Sequence, residues 1–167
     1  MNHILPGLLA AAITVLVLMA NCASEPESVP EVRAEPPQKC MNEVCVISST
    51  NEPGQRFRST VQVQSRSAWE DLNSSLRGNA LEQYEAYLSH QLDFDEAAVV
   101  AVFAGERPTG GYQLHLERVI RTPSSISLHI RESKPDPGDM VTQALTYPSL
   151  IMVVHDAPQD IDVNFSR

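Results

Sequence analysis

The chain has 167 residues, 43% hydrophobic, 20% charged and 5% aromatic, and its 21 Asp and Glu outweigh 12 Lys and Arg to leave a net charge of −9. That length and apolar fraction suit one modest globular domain with additional segments and exclude a wholly disordered chain. The acidic balance, with no Lys/Arg cluster, argues against a nucleic-acid binder, which needs a basic stripe to displace phosphate counterions. It also disfavours docking on anionic lipid through charge. No cofactor motif and no small-molecule substrate site is apparent.

Residues 4–20 are apolar apart from Pro6, Gly7 and Thr14. A spanning helix needs about 20 apolar residues, so the unbroken part from Leu8 to Ala20 has the length of a signal-peptide core. Leu18-Met19-Ala20-Asn21-Cys22 follows and resembles the lipobox of bacterial lipoproteins. The resemblance implies a signal peptide over 1–21 and lipidation of Cys22, with Asn21 standing where a small residue is usual. An uncleaved anchor or an ordinary secretory signal would still export the downstream part. Ala23 and Ser24 lack the Asp that typically retains a lipoprotein at the inner membrane. The expected location is therefore the bacterial cell envelope, lipid-anchored at the outer membrane and facing the periplasm.

Residues 22–45 are expected to form a tether. Pro26, Pro30, Pro36 and Pro37 stand among Glu and Ser up to Lys39, a composition that cannot build a core and extends to about 50 Å at polyproline rise. Cys40 and Cys45 form a C-x4-C pair that an oxidising compartment would hold as a disulfide pinning a local turn. A metal would need further ligands, and Met41, Asn42, Glu43 and Val44 supply one carboxylate.

The folded domain is expected over 56–167, about 120 residues and enough to bury a useful core. Arg56–Gln64 alternates as a strand. Ser67 with Glu70 reads as a capping box, and Trp69, Leu72 and Leu76 give one face of a short helix ending at Gly78. Asn79 with Glu82, then Leu81, Tyr84 and Leu88, give a second. Ala97–Ala104 is a Val-rich apolar run of strand length, expected to be buried on both faces. Tyr112–Glu117 and Ile126–Arg131 alternate about a Thr122–Ser125 turn as an antiparallel hairpin. Leu150–His155 is another apolar strand, and Ile161, Val163 and Phe165 mark a last one. The fold class expected is α+β, an antiparallel β-meander or roll of five or six strands with two short N-terminal helices.

Arg107-Pro108-Thr109-Gly110-Gly111-Tyr112 connects the buried strand to the hairpin. Pro108 holds its own φ and pushes Arg107 toward extended backbone, while Gly110 and Gly111 admit positive φ. A stiff tip of this kind is either a plain reversing turn or a recognition surface.

Asp93-Phe94 leading into the apolar strand, then RPTGGY, the hairpin, Pro137–Thr146 and Tyr147-Pro148 together resemble the PrcB C-terminal domain family. The likeness extends over about residues 60–167, Trp69 included. It implies an exported accessory subunit, a non-enzymatic module that supports a surface protease complex and binds an exported protein, such as a protease, through loops 105–112 and 134–148. On that reading Gly110→Val with Gly111→Val abolishes partner capture in a folded domain. The same six residues are similar to the N-P-T-T-G-Y/F loop of chagasin-type inhibitors, with Arg107 in place of Asn and Gly110 in place of the second Thr; protease inhibition is the alternative.

Catalysis finds little support, since there is no G-x-S-x-G elbow and both paired cysteines lie in the tether. If Leu116 pairs with Ile130, His115 and His129 come near each other with Glu117 facing His129, the arrangement of a metal-dependent enzyme, a lesser alternative. That is a conceivable metal site, although a solvated polar face is the plainer reading. Asp136, Asp139, Asp156, Asp160 and Asp162 lack calcium-loop spacing and read as turn residues.

Overall fold

Residues 40–51, 55–76, 85 and 87–166 are described by a computed structural model of the chain. The expected signal peptide, Cys22, the expected tether to Lys39, Gly78 and most of the expected second helix lie outside them. All of the described residues fall within one unit, Val32–Arg167. Among them no helix is long and apolar enough to cross a membrane.

Among the described residues eight strands form, β1 (Cys40–Met41), β2 (Val44–Thr50), β3 (Ser59–Val63), β4 (Ala97–Phe103), β5 (Gln113–Arg121), β6 (Ser125–Ser133), β7 (Ser149–His155) and β8 (Asp160–Ser166), with a helix α1 (Arg66–Ser75) between β3 and β4. They make a five-stranded sheet, β1-β2-β7-β4-β3, and a three-stranded sheet, β5-β6-β8. The fold is thus mostly β and not a simple meander, and the described residues do not support the expected pair of N-terminal helices. Of the expected second helix the described residues include Glu85, which is helical, and a π-helical turn follows at Tyr87–Gln91.

Two apolar layers explain the architecture. Every residue of β4 is buried, as is all of β7 but its last, because both strands are covered on both faces. Alternate residues Ala98, Val100, Val102, Leu150, Met152 and Val154 pack on Leu114, Val119, Ile126, Leu128 and Ile130 of the smaller sheet. The intervening Val99, Ala101, Phe103, Ile151 and Val153 pack on Trp69, Leu72, Tyr87, Leu88 and Leu92. Helix, large sheet and small sheet are therefore three layers about two cores.

Local chemistry sets the ends of the elements. Ser65, not Ser67, caps α1, its hydroxyl accepting from the Ala68 amide at 3.3 Å. The Ser74 and Ser75 hydroxyls bond back to the carbonyls of Asp71 and Leu72, loosening the last turn before Leu76. Arg66 donates to the carbonyls of Leu88 and Leu92, tying the π turn to α1. The β5–β6 turn closes as expected, with the Thr122 hydroxyl accepting from the Ser125 amide at 3.0 Å.

Residues 40–45 are not tether but the first hairpin of the domain. Cys40 and Cys45 face each other across β1 and β2 and are joined by the expected disulfide. Asn42 and Glu43, both at positive φ (46° and 66°), make the tight turn between them, the geometry in which Gly is favoured at the second position. Glu43→Gly is expected to raise stability by about 0.5–1 kcal/mol. The Glu43 contact with Arg121 at 3.5 Å involves a half-exposed carboxylate and offsets little of that gain. An unchanged or lower melting temperature would mean that the turn is not strained.

The final strand runs parallel to β6. β7 ends at His155, Asp156 turns at positive φ, and four residues carry the chain across to the other sheet. A strand that starts there must run back against β7, and therefore along β6.

Candidate functional site

β4 and β7 continue beyond their ends as paired loops. The Ala104 amide donates to Pro148 C=O at 2.8 Å; Gly105, at φ 86°, then turns the chain close under Arg56 and Arg58. Arg107 and Thr146 form an antiparallel bridge, exchanging amide and carbonyl bonds of 2.8 and 3.0 Å. The Gly110 amide donates to Thr142 C=O at 2.9 Å, and the Thr146 hydroxyl to Thr109 C=O at 2.7 Å. Residues 105–112 and 142–148 thus form one ribbon-like tip, and neither stands free.

Glu132, near the end of β6, braces this tip. Its side chain is only 13% exposed and accepts both Nε and Nη2 of Arg107 and, at 3.0 Å, Nη2 of Arg58. The hydrogen bonds to Glu132 raise the Arg107 pKa further above its ordinary value, so the guanidinium stays charged throughout the physiological range. Arg107 also donates to Glu106 C=O and lies 5.9 Å from the Tyr112 ring. Tyr147 donates its hydroxyl to Glu106 at 3.1 Å, which raises the phenol pKa.

The six residues singled out from the sequence are distributed unevenly. Pro108 and Gly111 are exposed, Arg107, Thr109 and Tyr112 half-buried, and Gly110 buried. Of the two glycines only Gly111 has positive φ, 86°. A Cβ on Gly111 would stand 2.8 Å from Pro135 Cβ and 3.0 Å from Val141 Cγ1. The close backbone approach is thus used inside the molecule, and valines at 110 and 111 would disrupt the tip itself instead of only altering its surface. Gly111→Ala is expected to cost about 1–3 kcal/mol through φ strain and overpacking; a melting temperature equal to wild type would show that Pro135 moves aside freely.

Two residues missed from the sequence stand at the tip. Leu145, 57% exposed, lies in the ribbon, and Met140, fully exposed, stands two residues before that segment begins. Among the described residues Met41, Phe57 and Ile120 are the other large hydrophobics left exposed. Glu132 was also missed, since nothing in Arg131-Glu132-Ser133 distinguishes it from a solvated strand residue.

Leu116 does pair with Ile130, but the register shifts at Glu117, so that Arg118 stands opposite His129. Glu117 turns to Arg131 at 3.6 Å and accepts from Ser166, while His115 shares a hydrogen bond with Ser133. The bulge thus takes the carboxylate away from the expected His129 pairing. Among the described residues no three His, Cys, Asp or Glu gather as a metal would need.

The apolar strand, the hairpin and the loop pair fall in one continuous stretch, and that stretch decides the family comparison. Residues 98–155 match the PrcB C-terminal family. The PrcB C-terminal match begins in β4, ends with β7 and contains both paired loops and Glu132; β1, β2, β3, α1 and β8 lie outside it. It is narrower than the likeness over 60–167 read from the motifs. No curated protein and no solved structure matches the chain.

Proposed function

We propose that this protein is a non-enzymatic module, lipid-anchored at Cys22 on the outer membrane and facing the periplasm, that binds another exported protein through the tip formed by residues 105–112 and 134–148. The PrcB C-terminal match suggests a protease-complex-associated domain, and the partner proposed is accordingly a protease whose complex it stabilises. The observation that carries the reading is the braced ribbon with Met140 and Leu145 turned to solvent. Main-chain pairing and the Arg107–Glu132 contact preorganise the surface, which reduces the ordering cost of binding. Methionine is among the residues enriched at protein interfaces, and a rigid support spares part of the ordering cost of binding.

Met140→Asp with Leu145→Asp separates surface from scaffold, because both side chains are exposed and neither carries a hydrogen bond of the ribbon. Capture from detergent-solubilised envelopes, followed by mass spectrometry, is expected to retain an exported protease with the wild type. The double variant should bind that partner about thirtyfold more weakly, the equivalent of about 2 kcal/mol, at unchanged melting temperature. Equal capture by both proteins would remove the tip from the binding surface.

A further inference from the structure

The two sheets meet differently along their two sides. On one side β2 lies against β5, and the Asn42 and Ser49 side chains donate to the carbonyls of Val119 and Leu114 at 3.3 and 3.4 Å. On the other, β3 and β8 are the outermost strands of their sheets. Gln62 Nε2 donates to Ile161 C=O at 2.6 Å, and the Arg58 guanidinium lies 4.2 Å over the Phe165 ring. Stepping back four residues along β3 advances four along β8, so the strands run antiparallel side by side. Among the described residues, no main-chain pairing joins them.

Successive residues of a strand turn their N–H and C=O to opposite edges. Because the Ile161 carbonyl faces Gln62, the main-chain groups of Val163 and Phe165 point the same way, away from β6. A row of such groups is a template for another strand. β8 contains no Pro or Lys and its register with β6 is unbroken; its charges, Asp160 and Asp162, lie in its first half, before Val163 and Phe165.

We infer that the β3–β8 side accepts an extended segment of a partner protein, added as a strand along β8. Val163 and Phe165 are partly buried at the margin of the core, so the segment would carry apolar residues at alternate positions to meet them. At the Arg58 end three guanidiniums, those of Arg56, Arg58 and Arg107, face two carboxylates, Glu106 and Glu132. A carboxylate on the segment would balance that end. A second copy of this chain fits less well, since each copy carries a net charge of −9. Main-chain recognition by β8 is independent of Met140 and Leu145; only the acidic preference at the Arg58 end draws on tip residues, Glu106 and Arg107, with Glu132 that braces them.

The test uses the full chain in detergent and a phage-displayed library of random nonapeptides as the probe. Enriched peptides are expected to alternate apolar residues, to carry an acidic residue, and to slow amide exchange at Val163 and Phe165. Val163→Pro removes an N–H that β6 does not use and should weaken binding at least tenfold with an unchanged circular dichroism spectrum. Gln62→Ala frees the Ile161 carbonyl and should bind as well as wild type or better. Should the proline variant fail to fold, the exchange pattern of the wild type decides. Failure to enrich any peptide overturns the inference. So does protection confined to 107–112 and 140–146, or a folded Val163→Pro that binds like wild type. Loss of binding in Met140→Asp with Leu145→Asp alone would assign the peptides to the tip.

Discussion

Trp69→Ala is expected to be the most damaging single substitution, at about 3–5 kcal/mol. Trp69 is completely buried, packs with Leu72, Leu88, Val99, Phe103 and Val153, and donates its indole N–H to the Ser89 hydroxyl at 3.3 Å. Truncation removes the largest side chain of that layer and leaves a cavity between α1 and the sheet that two fixed strands cannot close. A domain of this size has about 5–15 kcal/mol in total, so the variant should unfold at much lower urea. The protein has one tryptophan, and the variant must therefore be followed by circular dichroism. A loss below about 1 kcal/mol would mean that the helical layer does not hold that face of the sheet.

Glu132→Ala is expected to loosen the tip without dissolving the fold, at a cost of about 1–3 kcal/mol. Removal leaves the Arg107 guanidinium, 20% exposed, without its carboxylate. The cost falls below that of a fully buried pair because water still reaches the site. Arg58 is half-exposed and should contribute little of it. Hydrogen exchange gives the more specific reading. The amides of Arg107, Gly110 and Thr146 should exchange faster, while those of β4 and β7 stay protected. Uniform acceleration across both sheets would make Glu132 a general stability residue. No change at the three amides would show that main-chain pairing alone holds the ribbon. On the proposed function, partner capture falls in this variant although Met140 and Leu145 are intact.

Some of this was legible in the chain. Ala97–Ala104 read as a strand buried on both faces and Leu150–His155 as an apolar strand, because continuous Val-, Ile- and Leu-rich runs of that length suit cover on both faces. The hairpin was legible because Leu114, Ile126, Leu128 and Ile130 alternate around a Thr-Pro-Ser-Ser turn. β2 was not. Its sequence VCVISST ends in Ser and Thr and adjoins a proline-rich stretch, yet Ser48 is buried, because β7, about a hundred residues later, lies beside it. The glycines at the tip carried a real signal for close backbone approach, but what approaches Gly111 is Pro135 of the same chain. The importance of Glu132 depends on Arg58 and Arg107, which lie 74 and 25 residues away.

By itself the sequence determined the local quantities: the charge balance, the apolar runs, the turn residues, the C-x4-C pairing and the family motifs between Ala98 and His155. These follow from short-range sterics and hydrophobic periodicity, which each segment carries alone. The tertiary structure decided which strands became neighbours, that β8 runs parallel to β6, that the two loops pair, and that Met140 is left exposed while Met152 is buried. Those outcomes depend on how two sheets and a helical layer jointly cover the same strands, and burial shared among distant segments is a property of no single one of them.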